Sequence, residues 1–95
     1  MFYEKRVTSF RALMKEVSSM DSDAGIRLAG RYGKHLCYCF VTRFGTVFIA
    51  MMYARSAGKK RSPGKLLASV ELKSPEQLRR LLREVAGSRV SAYVY

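Results

Sequence analysis

The stretch HLCYCFVTRFGTVFIAMMYAR, from His35 to Arg55, decides the fold. It reads as two strands, "HLCYCFVTR" and "TVFIAMMYAR", joined by a tight turn at Phe44-Gly45. Alternate residues of a strand point to opposite faces. With Phe44-Gly45 as a two-residue loop, Arg43 pairs with Thr46, Val41 with Phe48, Cys39 with Ala50, and Cys37 with Met52. The other face carries Leu36, Tyr38, Phe40 and Thr42 beside Val47, Ile49, Met51 and Tyr53. The first face is richer in small residues, which suits close helix packing. The second is broader and more aromatic. Both are apolar, whereas a sheet with one solvated face shows clean polar alternation. Either helices cover both faces, or one face meets a partner or a ligand.

Moving outward, "IRLAGRY" from Ile26 alternates with period two, and Gly33-Lys34 turns it into the first of the central strands. On the other side, "AGKKRSPGK" (Ala57 to Lys65) leads to a further strand, "LLASVEL". Next comes "SPEQLRRLLREVAG". Ser74 is placed as N-cap, Pro75 at N1, where its missing N–H costs nothing, and Gln77 completes a capping box. Leu78, Leu81, Leu82 and Val85 form the buried stripe, with Arg79, Arg80 and Arg83 on the other side and Gly87 ending the helix. "RVSAYVY" closes the chain as a short strand. Before the sheet, "SFRALMKEVSSM" puts Phe10, Leu13, Met14 and Val17 on one helical stripe, capped by Ser9 or Thr8. The expected fold is a single α+β domain over residues 1–95. It has an antiparallel sheet of four to five strands with an N-terminal and a C-terminal helix, in the order α-β-β-β-β-α-β.

The chain has 95 residues, enough for one modest core. Its longest apolar-rich run, Val47 to Ala54, is far short of a membrane span, and the N-terminus has no signal-peptide pattern. A cytoplasmic location without membrane association is the expectation. Asn is absent and Gln77 is the single Gln, while Arg is plentiful, which leans towards a thermophilic source. Cys37 and Cys39 share a strand face and read as small buried thiols. With His35 they are too few for a closed zinc site, which needs about four ligands. No metal and no cofactor are expected.

Charge is the loudest feature. Eighteen Lys+Arg against seven Asp+Glu give a net charge of +11, which predicts attraction to a polyanion. Arg55, Lys59, Lys60, Arg61 and Lys65 cluster within eleven residues. The loop superficially resembles the phosphate-binding G-x-x-x-x-G-K-[ST]. It fails on spacing, since five residues separate Gly58 from Gly64. It fails again on the hydroxyl, because Leu66 follows Lys65, and on context, because a strand follows. A hairpin tip reaching over a groove fits better. Its plainest alternative is a solvated tip.

An apolar, aromatic face on a basic protein is what single-stranded nucleic acid needs: bases stack on rings while cations track phosphates. Tyr38, Phe40, Phe44, Phe48 and Tyr53 are the candidate platforms. About half are expected to be core, Phe48 and Phe40 first. An N-terminal helix, a small antiparallel sheet, a basic hairpin loop and a capped helix also make the chain resemble the ThermoDBP-related proteins, archaeal single-stranded nucleic-acid-binding proteins. The stretches concerned are "SFRALMKEV", "CYCFVTRFGTVFIAMMY", "GKKRSPGK" and "SPEQLRRLLREV". The resemblance is architectural and carries over no residue. It implies non-catalytic, weakly sequence-specific binding of single-stranded DNA or RNA in an apolar cleft flanked by basic residues.

Charge and aromatic placement give the candidate site: Arg31, Tyr38, Arg43, Phe44, Tyr53, Arg55, Lys59, Lys60, Arg61 and Lys65. The rival from another class is a protein-interaction or ribonucleoprotein-associated domain that uses the apolar sheet face to form a homodimer or to dock. A third is a small metal-free ribonuclease working through His35 with Tyr32 or Arg43.

Overall fold

The structure is a computed structural model that describes residues 5–22, 24–55, 64–87 and 90–95. Lys59, Lys60 and Arg61 lie outside the described residues. The elements run β1 (Lys5–Val7), α1 (Phe10–Ser18), β2 (Gly25–Tyr32), β3 (His35–Phe44), β4 (Val47–Ala54), β5 (Leu66–Leu72), α2 (Pro75–Ala86) and β6 (Ser91–Val94). The fold is α+β, as the periodicities predict. The strands form one six-stranded sheet in the order β1-β6-β2-β3-β4-β5, antiparallel throughout. This is more than the four to five strands expected. The extra one, β1, is three residues long, too short to show alternation.

Helix starts follow local chemistry. Ser9 caps α1, its Oγ accepting from the Ala12 amide at 3.2 Å. Ser74 does the same for α2 with the Gln77 amide, and Pro75 occupies the first turn. The capping box is displaced by one residue: Gln77 Oε1 accepts from the Lys73 amide at 2.8 Å rather than from Ser74.

The β3–β4 turn corrects the expected register. Phe44 pairs with Val47, Arg43 with Phe48, Val41 with Ala50 and Cys39 with Met52. The loop is therefore Gly45-Thr46, not Phe44-Gly45. Gly45 has φ +60° and sits first in the loop, where a type II′ turn requires a residue that tolerates positive φ. Gly33 fills the same place in the β2–β3 turn. The shift moves each partner by two residues, so every side chain stays on its expected face.

Both helices pack on the face rich in small residues. The core joins Leu13 and Val17 of α1 and Leu78, Leu82 and Val85 of α2 to Ile26, Leu28, Cys37, Cys39, Val41, Phe48, Ala50, Met52 and Ala92 of the sheet. Gly30 brings α2 close. A Cβ built there would lie 2.1 Å from the Val85 carbonyl oxygen, so the bare backbone is what the helix rests on. No buried polar or charged side chain is found among the described residues. No helix among them is long and apolar enough to cross a membrane.

Candidate functional site

With both helices on one side, the other face of the sheet has no layer over it among the described residues. Register assigns its side chains. Arg6 pairs with Tyr93, Tyr93 with Arg27, Arg27 with Phe40, and Phe40 with Met51. One step along, Ser91, Ala29, Tyr38 and Tyr53 form a second row. Further on, Arg31 and Arg55 lie on either side of Leu36: Arg31 pairs with Leu36, and the Arg55 amide donates to the Leu36 carbonyl. None of these side chains is buried, and none of the apolar ones belongs to the core cluster. The face is half-exposed and aromatic, with arginines set between the rings.

Those arginines contact the rings directly. The Arg27 guanidinium carbon is 4.7 Å from the centre of the Tyr93 ring, and that of Arg55 is 5.6 Å from the Tyr38 ring. Phe40 and Tyr53 meet edge to face, with centroids 5.7 Å apart at 78°. A cation over an aromatic face is held by the ring quadrupole. Together Arg27, Tyr38, Phe40, Arg55 and Tyr93, with Ala29 and Ser91 between strands, line a depression of about 490 Å³. Small side chains at Ala29 and Ser91 make the hollow, and the larger ones form its walls. At its far side, Tyr95 packs over Gly25, where a Cβ would lie 2.6 Å from the ring.

The sequence-derived candidates divide between places. Tyr38, Tyr53, Arg55 and Arg31 come together on the open face. Lys65 is exposed at the same end of the sheet as Arg55, its carbonyl accepting from the Ala54 amide at 2.8 Å. Phe44 shares the face and is 60% exposed, but it stands at the hairpin tip, about 20 Å along the strand from Tyr38. Arg43 is not on this face. Its parity puts it on the helix side, where Nη1 donates to the Met20 carbonyl and Nε to the Gly45 carbonyl at 2.8 Å. Its guanidinium also lies 5.8 Å from the Phe48 ring. These contacts tie the α1–β2 and β3–β4 loops together.

Phe48 is core, as expected, at 4% exposure, whereas Phe40 stands on the open face. Arg27, Tyr93 and Arg6 are missing from the expected site. They lie in β2, β6 and β1, and only the placement of β6 between β1 and β2 brings them together. Alternation within β2 does put Arg27 on one face with Arg31, but nothing local pairs it with Tyr93.

His35 and Tyr32 pair at the exposed β2–β3 hairpin, and Arg43 lies eight residues along β3 from His35, about 26 Å away and tied to loop carbonyls. Of the two partners considered for His35, Tyr32 is paired with it across the hairpin and Arg43 lies far off. Cys37 and Cys39 are buried thiols. Burial pushes both up, Cys39 to about 12, while the nearby Arg55 partly offsets the rise at Cys37. No group of three or more His, Cys, Asp or Glu side chains able to hold a metal ion is found among the described residues.

Set against protein-family models, curated proteins and solved structures, the chain matches none.

Proposed function

We propose that the open sheet face binds single-stranded nucleic acid, DNA or RNA, without catalysis and with little sequence preference. The observation that carries this reading is the alternation of guanidinium and ring across three strands: Tyr93, Arg27 and Phe40 in one row, with Tyr38 and Arg55 beside it. Bases stack on aromatic rings at about 1–3 kcal/mol each, and a guanidinium plane is itself a stacking surface. The depression of about 490 Å³ receives a base, while Arg6, Arg31, Arg55 and Lys65 around it take the phosphates. A duplex keeps its base faces stacked inside and offers the rings nothing, so single strands are preferred.

Fluorescence anisotropy with labelled single- and double-stranded oligonucleotides of DNA and RNA, at two salt concentrations, tests this. About four phosphate contacts on a single strand give a slope of log K against log salt near roughly −3. Single-strand preference with that slope supports the face as the site. Equal binding to all four means a bare electrostatic surface. Salt-indifferent self-association without oligonucleotide binding favours the rival use of the face, a homodimer or a docked protein.

A further inference from the structure

A second surface lies on the opposite side of the molecule, where α1 and α2 run beside each other. Two adjoining hollows, of about 500 and about 670 Å³, meet over Phe10, Glu76, Arg79 and Arg83. The floor is apolar: Phe10 and Met14 of α1 stand half-exposed on the helical stripe whose other members, Leu13 and Val17, are core, and Pro75 closes one end. The rim carries four guanidinium groups, from Arg11, Arg79, Arg80 and Arg83, against the two carboxylates of Glu76 and Glu84. Among the described residues, no carboxylate lies within 4 Å of any of these four arginines.

We infer that the α1–α2 groove is a docking site for an acidic amphipathic segment of a partner protein. Charge complementarity sets the sign: four guanidinium groups, none ion-paired among the described residues, surround an apolar floor. Guanidinium forks match carboxylates two bonds at a time. The floor asks for aliphatic side chains between those acids, the pattern of a helix laid in a groove. A nucleic-acid strand suits the groove less well. Phe10 is the one aromatic ring lining the two hollows among the described residues, with the Arg83 guanidinium carbon 4.8 Å from its centre, so the groove has no row of rings for successive bases. Glu76 and Glu84 would also face its phosphates. The groove lies across the molecule from the Arg27–Tyr93 face, and the inference stands without any assignment of that face.

The test uses a fluorescein-labelled helical peptide of about eighteen residues, glutamates on one face and leucines on the other. A scrambled peptide of the same composition is the control. Binding is measured by anisotropy to the full chain, to Arg79→Glu/Arg83→Glu, and to Arg6→Glu/Arg31→Glu, which removes the same charge from the sheet face. The expected result is a preference for the patterned peptide over the scrambled one. Affinity should fall tenfold or more in Arg79→Glu/Arg83→Glu and much less in Arg6→Glu/Arg31→Glu. Arg79→Gln/Arg83→Gln should lose an intermediate amount, and circular dichroism should confirm that each variant is folded. Equal losses in the two charge-reversal variants, equal binding of the two peptides, or no binding at low salt would overturn the inference. So would an oligonucleotide whose binding depends on Arg79 and Arg83, since the groove would then belong to nucleic acid.

Discussion

The Arg27 guanidinium lies 4.7 Å from the centre of the Tyr93 ring, across the ladder that joins β2 to β6. Residue 93 reaches residue 27 because the chain, after α2, returns to pair between β1 and β2. One wall of the open depression is therefore built from residues far apart in the sequence. Tyr93→Ala is expected to weaken single-strand binding by about 1–3 kcal/mol, roughly 5- to 150-fold. Tyr93→Phe should keep most of it. Anisotropy with a fixed oligonucleotide measures both.

Arg43→Ala separates charge from position. Arg43 bonds the carbonyls of Met20 and Gly45 on the helix side. Removing it should cost about 1–3 kcal/mol of stability, because two carbonyl partners are lost. It should leave oligonucleotide affinity nearly unchanged. Urea unfolding and a binding titration on the same sample check the two halves.

Gly30→Ala tests how closely α2 sits on the sheet. The added methyl would meet the Val85 carbonyl at 2.1 Å, and backbone cannot rotate away as a side chain can. A loss of about 1–3 kcal/mol or more is expected, lowering Tm by several degrees in a domain of this size. A thermal melt that coincides with wild type would mean that the helix is not held there.

Much of this fold is legible locally. Ser74-Pro75 states where α2 begins, and the alternation in β3 and β4 separates a face of small residues from an aromatic one. The turn between them is less legible. "RFGT" permits a loop at Phe44-Gly45 or at Gly45-Thr46, and what decides is the demand for positive φ at the first loop position. Both choices leave the faces unchanged, so Tyr38 and Tyr53 are placed together on either. Phe40 illustrates the limit. The small side chains of the opposite face do suit the helices, but nothing in β3 alone says whether a further layer covers the face that carries Phe40. Arg27 and Tyr93 illustrate another limit: 66 residues of separation leave no short-range signal.

Cys39 gives the fold an alkaline limit. Its thiol is pushed up to about 12 by burial, with a smaller push from Cys37, against an ordinary value of 9.0. Between those values the unfolded chain loses this proton while the folded chain keeps it. The stabilisation is therefore complete below pH 9.0 and is lost as pH rises towards about 12. Urea unfolding across that range should show a steeper fall for wild type than for Cys39→Ala. Parallel slopes would mean that the thiol is not what titrates.

The most direct measurement is a map of backbone amide NMR shifts during titration with a short single-stranded oligonucleotide. Changes concentrated at Arg27, Tyr38, Phe40 and Tyr93, with α2 unmoved, are the expected result. Changes confined to α1 and α2, or none at low salt, would contradict binding on the open sheet face.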